Sequence, residues 1–115
     1  MADSGLPTLA VDLGGTHMRC AAVAADGTVF VRKIRETPHD GTGPAALIEL
    51  VRDVAATNPC RRAVIGVPGR VDYRRGALEH APNLPPGWVA DLTETALERS
   101  TGLPVSLAND ADLAG

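Results

Sequence analysis

Between residues 9 and 34, three β-prone runs follow one another with no space for a helix between them. Leu9 to Leu13 is apolar with one acid near its end, and Gly14-Gly15-Thr16 follows at once. His17 to Ala25 comes next, closed by Asp26-Gly27, and Thr28 to Ile34 completes the set. Asp-Gly between two such runs signals a hairpin, because both positions tolerate positive φ. The three strands therefore form an antiparallel meander. The glycine pair joins two strands and opens no helix, which disfavours a dinucleotide-binding loop of the Rossmann type.

The remainder of the chain changes period. Leu47, Leu50, Val51 and Val54 recur at i, i+3, i+4 and i+7, which predicts a helix over 45–57. Pro44 suits its first turn, and Asn58-Pro59 ends it. Ala63 to Val67 is a short strand without alternation, as a strand buried on both faces would be. Residues 68–87 are rich in turns, with a small hairpin expected around Arg75-Gly76. Asp91 and Glu94 have capping-box spacing, which predicts a second helix that Gly102 terminates. Val105 to Ala108 is the last strand, with Asn109-Asp110 at its carboxyl end and the first turns of a further helix after it. The order β-β-β-α-β-(hairpin)-α-β-(α) is an α/β fold with a mixed sheet, antiparallel at its start and flanked by helices. It matches the ribonuclease-H-like half of the actin and hexokinase superfamily.

Composition narrows the function. The chain has 115 residues, enough for one core. At 44% hydrophobic and 22% charged residues it is an ordinary globular composition. Eleven basic against 14 acidic residues leave a net charge of −3, which offers no excess for nucleic-acid phosphates. No apolar run approaches a membrane span, and Met1 to Gly5 has no basic segment leading into an apolar one. The two cysteines, Cys20 and Cys60, build no disulfide framework and read as reduced thiols. A cytoplasmic protein with no nucleic-acid or membrane partner is expected.

Three places can carry chemistry. At Asp12-Leu13-Gly14-Gly15-Thr16, the glycines let backbone N–H groups approach an anion, and Asp12 can hold Mg²⁺ directly or through water. The same residues also read as a simple tight turn. Asn109-Asp110 sits at a strand end, where ligands of open α/β sheets bind, and an aspartate there can take a proton from a substrate hydroxyl. Asp110 serves equally well as an N-cap for the helix that follows. Gly66 to Arg70 is another strand end running into a turn, with Arg70 either donating to a polar ligand or lying in solvent. His17, His39 and His80 have no metal-ligand spacing.

Taken together and in order, these motifs resemble the N-terminal half of the ROK family (repressor, open reading frame, kinase), which includes bacterial glucokinases. The resemblance rests on Leu9 to Arg19, Ile65 to Asp72, Ala81 to Trp88 and Leu103 to Ala111, and spans about residues 8–113. It implies ATP-dependent phosphorylation of a hexose at its 6-hydroxyl. Gly14, Gly15 and Thr16 would contact ATP phosphates, and Asp12 would engage Mg²⁺. Asp110 would be the general base, while Asn109, Gly69, Arg70 and Asn83 would hold the sugar. Ala108 precedes the Asn-Asp pair. Asp112-Leu113-Ala114-Gly115 stands where family members continue into a small-residue helix ending in Gly-Glu.

By the same resemblance, residues 1–115 form the N-terminal lobe. The C-terminal lobe, with its second phosphate loop, adenosine site and zinc cluster, is expected to be absent from this chain. The lobe alone would then turn over little or no substrate, and its uncovered face would favour a homo-oligomer. The alternative within the family is a sugar-sensing transcriptional regulator lacking its DNA-binding segment. A more distant alternative is an activator ATPase of the same superfamily, against which Pro82-Asn83-Leu84, Trp88 and Asn109-Asp110 tell.

Overall fold

The computed structural model describes residues 5–111 except Pro86, leaving aside the side chains of Ala90 and Asp91. Seven strands and three helices are described: β1 (Thr8–Leu13), β2 (His17–Val23), β3 (Val29–Glu36), α1 (Gly43–Thr57), β4 (Arg62–Val67), β5 (Arg70–Asp72), β6 (Ala77–His80), α2 (Trp88–Asp91), α3 (Glu94–Thr101) and β7 (Val105–Asn109). The large sheet has the order β3-β2-β1-β4-β7, and β5 and β6 form a separate hairpin. β1 pairs antiparallel with β2, and β2 with β3. β4 joins parallel to β1, and β7 parallel to β4. This is the mixed α/β sheet that the sequence implies.

The turn between β2 and β3 is longer than the Asp-Gly pair alone. Ala24 N–H donates to Thr28 O, Gly27 N–H to Ala24 O, and Gly27 takes φ 92°. Asp26 accepts from Thr28 N–H at 2.9 Å, and bonds from Thr28 hold its carboxyl below the usual value. β2 consequently stops two residues earlier than its apolar run, and β3 runs on to Glu36.

α1 packs on β1, β2 and β3, and also touches α3, which lies along β7. Both helices thus cover one face of the sheet. Leu9, Val11, Leu13, Met18, Cys20 and Ala22 point into that face, and Leu47, Leu50, Val51 and Val54 meet them from α1. Alternation along β1 leaves Ala10 and Asp12 on the opposite, exposed face.

Asp91 does not start a helix. It ends α2, a four-residue turn the sequence reading did not contain, and Thr93 in extended conformation caps α3 by accepting from Ala96 N–H at 3.1 Å. The buried Trp88 explains the extra turn, since its ring is seated against the first residue of α1, Gly43. Gly102 terminates α3 with φ 75°, as expected.

Both sheet edges are protected. On β7, every outward amide has a side-chain acceptor: Val105 N–H donates to Glu98 (2.9 Å), Leu107 N–H to Glu94 (2.8 Å) and Asn109 N–H to the Tyr73 hydroxyl (3.0 Å). β3 instead carries Arg32, Lys33 and Arg35, charges that discourage pairing with another chain. No helix among the described residues is long and apolar enough to cross a membrane.

Cys20 is fully buried, and burial, reinforced by the nearby Cys60 thiol, pushes its pKa from 9.0 up to about 12. The folded thiol stays protonated where the unfolded one ionises, so the unfolded state gains stability as pH rises through that window. Denaturant midpoints measured between pH ~7 and ~10 should fall with pH, and Cys20→Ser should flatten that fall.

Candidate functional site

Parallel pairing puts the carboxyl ends of β1, β4 and β7 at one end of the sheet. Asp12 is level with Gly66, Gly66 with Ala108, and Val67 with Asn109. The tip of β1 and the tip of β7 are therefore separated by β4 alone, two inter-strand spacings or about 10 Å. The glycine loop leaves the first tip and Asp110 follows the second. A crevice at the carboxyl ends of strands is where open α/β sheets bind their ligands.

In the glycine loop, Gly14 N–H donates to His17 O at 2.9 Å and closes the turn. The carbonyls of Gly14 and Thr16 are both tied to Thr37: its hydroxyl donates to Gly14 O at 2.7 Å and its N–H to Thr16 O at 2.8 Å. Among the described residues, the amides of Gly15 and Thr16 donate to no carbonyl. Carbonyls turned in and amides left over are what an anion cradle requires. Asp12, beside the loop, is about half exposed and lies 3.7 Å from the Arg19 guanidinium. No group of three or more His, Cys, Asp or Glu side chains suited to a metal occurs among the described residues. Magnesium needs no such group, because it binds through one or two carboxylates together with phosphates and water.

At the other tip, Asn109 is bonded at three points. Its N–H donates to the Tyr73 hydroxyl, its Nδ2 to Gly69 O, and its Oδ1 accepts from Ala111 N–H at 2.9 Å. Asn109 therefore performs the capping that the sequence offered to Asp110. Asp110 is exposed, with no hydrogen bond among the described residues. The helix expected after the last strand starts at Asp110 and Ala111, and its continuation lies outside the described residues.

Residues 80–83 lie against these tips. A Cβ on Gly15 would stand 2.5 Å from Asn83 O, and one on Gly69 would collide with the backbone of His80 and Ala81. Asn83 is thereby brought beside the glycine loop, its side chain exposed. Arg70 is placed differently: its guanidinium is 3.5 Å from Glu79 on β6, in an exposed ion pair. Among the described residues, no hydrogen bond or ion pair joins the Arg70 side chain to another candidate residue.

Two residues of the site escaped the sequence reading. Thr37 carried a weak signal, a polar residue at a strand end before Pro38. Tyr73 carried none beyond being one of three aromatic residues in the chain.

The family model described as the ROK family matches residues 8–115. The chain belongs to the ROK family. It is 31% identical over 107 residues to a beta-glucoside kinase of Klebsiella pneumoniae, an alignment covering 90% of this chain and 34% of that protein. Among solved structures, a ROK hexokinase from Thermus thermophilus superimposes with TM-score 0.83 at 29% identity, covering 95% of this chain and 37% of the other. A ROK family glucokinase from Streptomyces griseus, solved with glucose and AMPPNP, also gives TM-score 0.83, at 28% identity over 94% of this chain and 34% of its own. The fold is that of the ROK hexokinases, and the chain spans about a third of the length of each relative.

The contact between Gly15 and Asn83 joins the two sides of the site, so it is the place to perturb. Gly15→Ala should push the two backbones apart and cost about 1–3 kcal/mol in urea unfolding. An unchanged midpoint would mean that the loops are not in contact.

Proposed function

We propose that this lobe belongs to an ATP-dependent sugar kinase that phosphorylates the 6-hydroxyl of a hexose. The observation that supports it best is the meeting, at one end of the sheet, of a loop whose Gly15 and Thr16 amides donate to no carbonyl among the described residues and an exposed aspartate, Asp110. The kinase names of all three relatives, and the glucose and AMPPNP in one of them, favour this over a regulator.

In this reading the loop amides of Gly15 and Thr16 and the Thr16 hydroxyl receive phosphate oxygens. Asp12 holds Mg²⁺, directly or through water, at the same strand end. Bound ATP supplies the phosphoryl group. Asn109, Gly69 and Asn83 line the sugar side, and Arg70 reaches the sugar only by leaving Glu79. Asp110 accepts the proton of the sugar hydroxyl as the hydroxyl oxygen attacks the terminal phosphorus of ATP, the bond from that phosphorus to ADP breaks, and ADP departs. The transition state of such transfers is loose, so the lobe contributes mainly by positioning and by balancing charge.

The test is Asp110→Asn in a protein of the relatives' full length carrying this lobe. Turnover should drop by roughly 10²–10⁴, the usual worth of a general base, while hexose binding persists. ADP release and hexose titration read the two effects separately. Undiminished turnover would remove Asp110 from the mechanism.

A further inference from the structure

Thr37 is the one buried polar side chain among the described residues, 3% exposed. It follows directly on β3, and its N–H bond to Thr16 O extends the β2–β3 ladder one step past the last pair, His17 with Glu36. From that fixed point the hydroxyl crosses to Gly14 O. The residue is thus held by the sheet at its backbone and grips the loop with its side chain.

The consequence follows from peptide geometry. Gly14 C=O and Gly15 N–H belong to one planar trans peptide and point in opposite directions. A hydroxyl that holds the carbonyl inward therefore holds the Gly15 N–H outward. Two adjacent glycines have the widest conformational freedom of any dipeptide, so without that grip the peptide would be free to rotate. A donor fixed before the ligand arrives costs less to order on binding than a mobile one.

We propose that Thr37 is a positioning residue for the glycine loop, locking the Gly14–Gly15 peptide so that the Gly15 amide is set to donate to a phosphate oxygen. The inference rests on reading that loop as a phosphate site, and it assigns the loop's geometry to a side chain 23 residues away. Thr37→Val keeps the shape and the backbone bond to Thr16 and deletes only the hydroxyl, whereas Thr37→Ser keeps the hydroxyl.

The experiment uses a ¹⁵N-labelled protein of the relatives' full length carrying this lobe. The residual dipolar coupling of the Gly15 N–H reports its orientation without any ligand. It should be preserved in Thr37→Ser and strongly reduced in Thr37→Val, with β4 amides unchanged in both. Titrations with Mg-ATP and with tripolyphosphate, followed at the Gly15 amide, should then show binding about tenfold weaker in Thr37→Val, equivalent to about 1.4 kcal/mol. Thr37→Ser should bind like the parent. A Gly15 coupling unchanged in Thr37→Val, even with a lowered melting temperature, would overturn the inference by showing a purely structural role. Loss of the coupling or of binding in Thr37→Ser would overturn it as well, and that variant decides the matter if Thr37→Val does not fold. If the dipolar couplings behave as expected but the parent's Gly15 amide responds to neither phosphate compound, it is the phosphate-site reading that fails, and the positioning role toward phosphate with it.

Discussion

Backbone packed directly on backbone, at positions that have no side chain, holds this site together. The segment from His80 to Trp88 touches the rest of the molecule at Gly69, Gly15 and Gly43, and at each a methyl group would meet main chain or the indole ring. Apolar burial secures the same segment from within, through Ala81, Leu84 and Trp88. Those three side chains therefore belong to the core rather than to a loose cover. Three chain-distant elements, the β1–β2 turn, the β4–β5 turn and the start of α1, are fixed relative to one another because this segment lies against all of them.

The sheet divides its tasks along its width. Antiparallel strands β1 to β3 bring the glycine loop and Thr37 together, since a hairpin tip and the end of the third strand necessarily lie at the same end of the sheet. Parallel additions β4 and β7 bring the remaining tips to the same end. An exclusively antiparallel sheet would alternate those tips between its two ends. Parallel pairing is what brings the tip of β4, and Gly69 after it, to the same end as the turn near residue 15 and the aspartate at 110, and the ROK relatives share the fold.

Much of this was legible from periodicity and turn chemistry. The face of α1 appears in the spacing of Leu47, Leu50, Val51 and Val54, and Gly102 marks the end of α3. Local rules failed where tertiary contacts decide. Asp91 and Glu94 have the right spacing for a cap, yet Trp88 has a slot on Gly43 that draws residues 88–91 into a turn of their own and moves the cap to Thr93. The roles of Thr37 and Tyr73 were hidden for a related reason: their partners are 23 and 36 residues away, and a single sequence carries no record of pairing at that distance. The strand ends at Asp12 and Asn109 were readable, but not the fact that Asn109 rather than Asp110 closes the following turn.

That last detail separates two kinds of group in the crevice. Asn109 has its amide hydrogen and both ends of its side chain committed, so its position is fixed and little of it can be rearranged. Asp110 is exposed, and Asp12 has for its partner an Arg19 that is itself about half exposed. A pair of that kind is worth at most about 1 kcal/mol, because water screens the attraction and two flexible side chains must be held still. Arg19 therefore offsets the charge of Asp12 without sequestering it. Committed neutral groups fix the strand tips, while the carboxylates of Asp12 and Asp110 remain exposed.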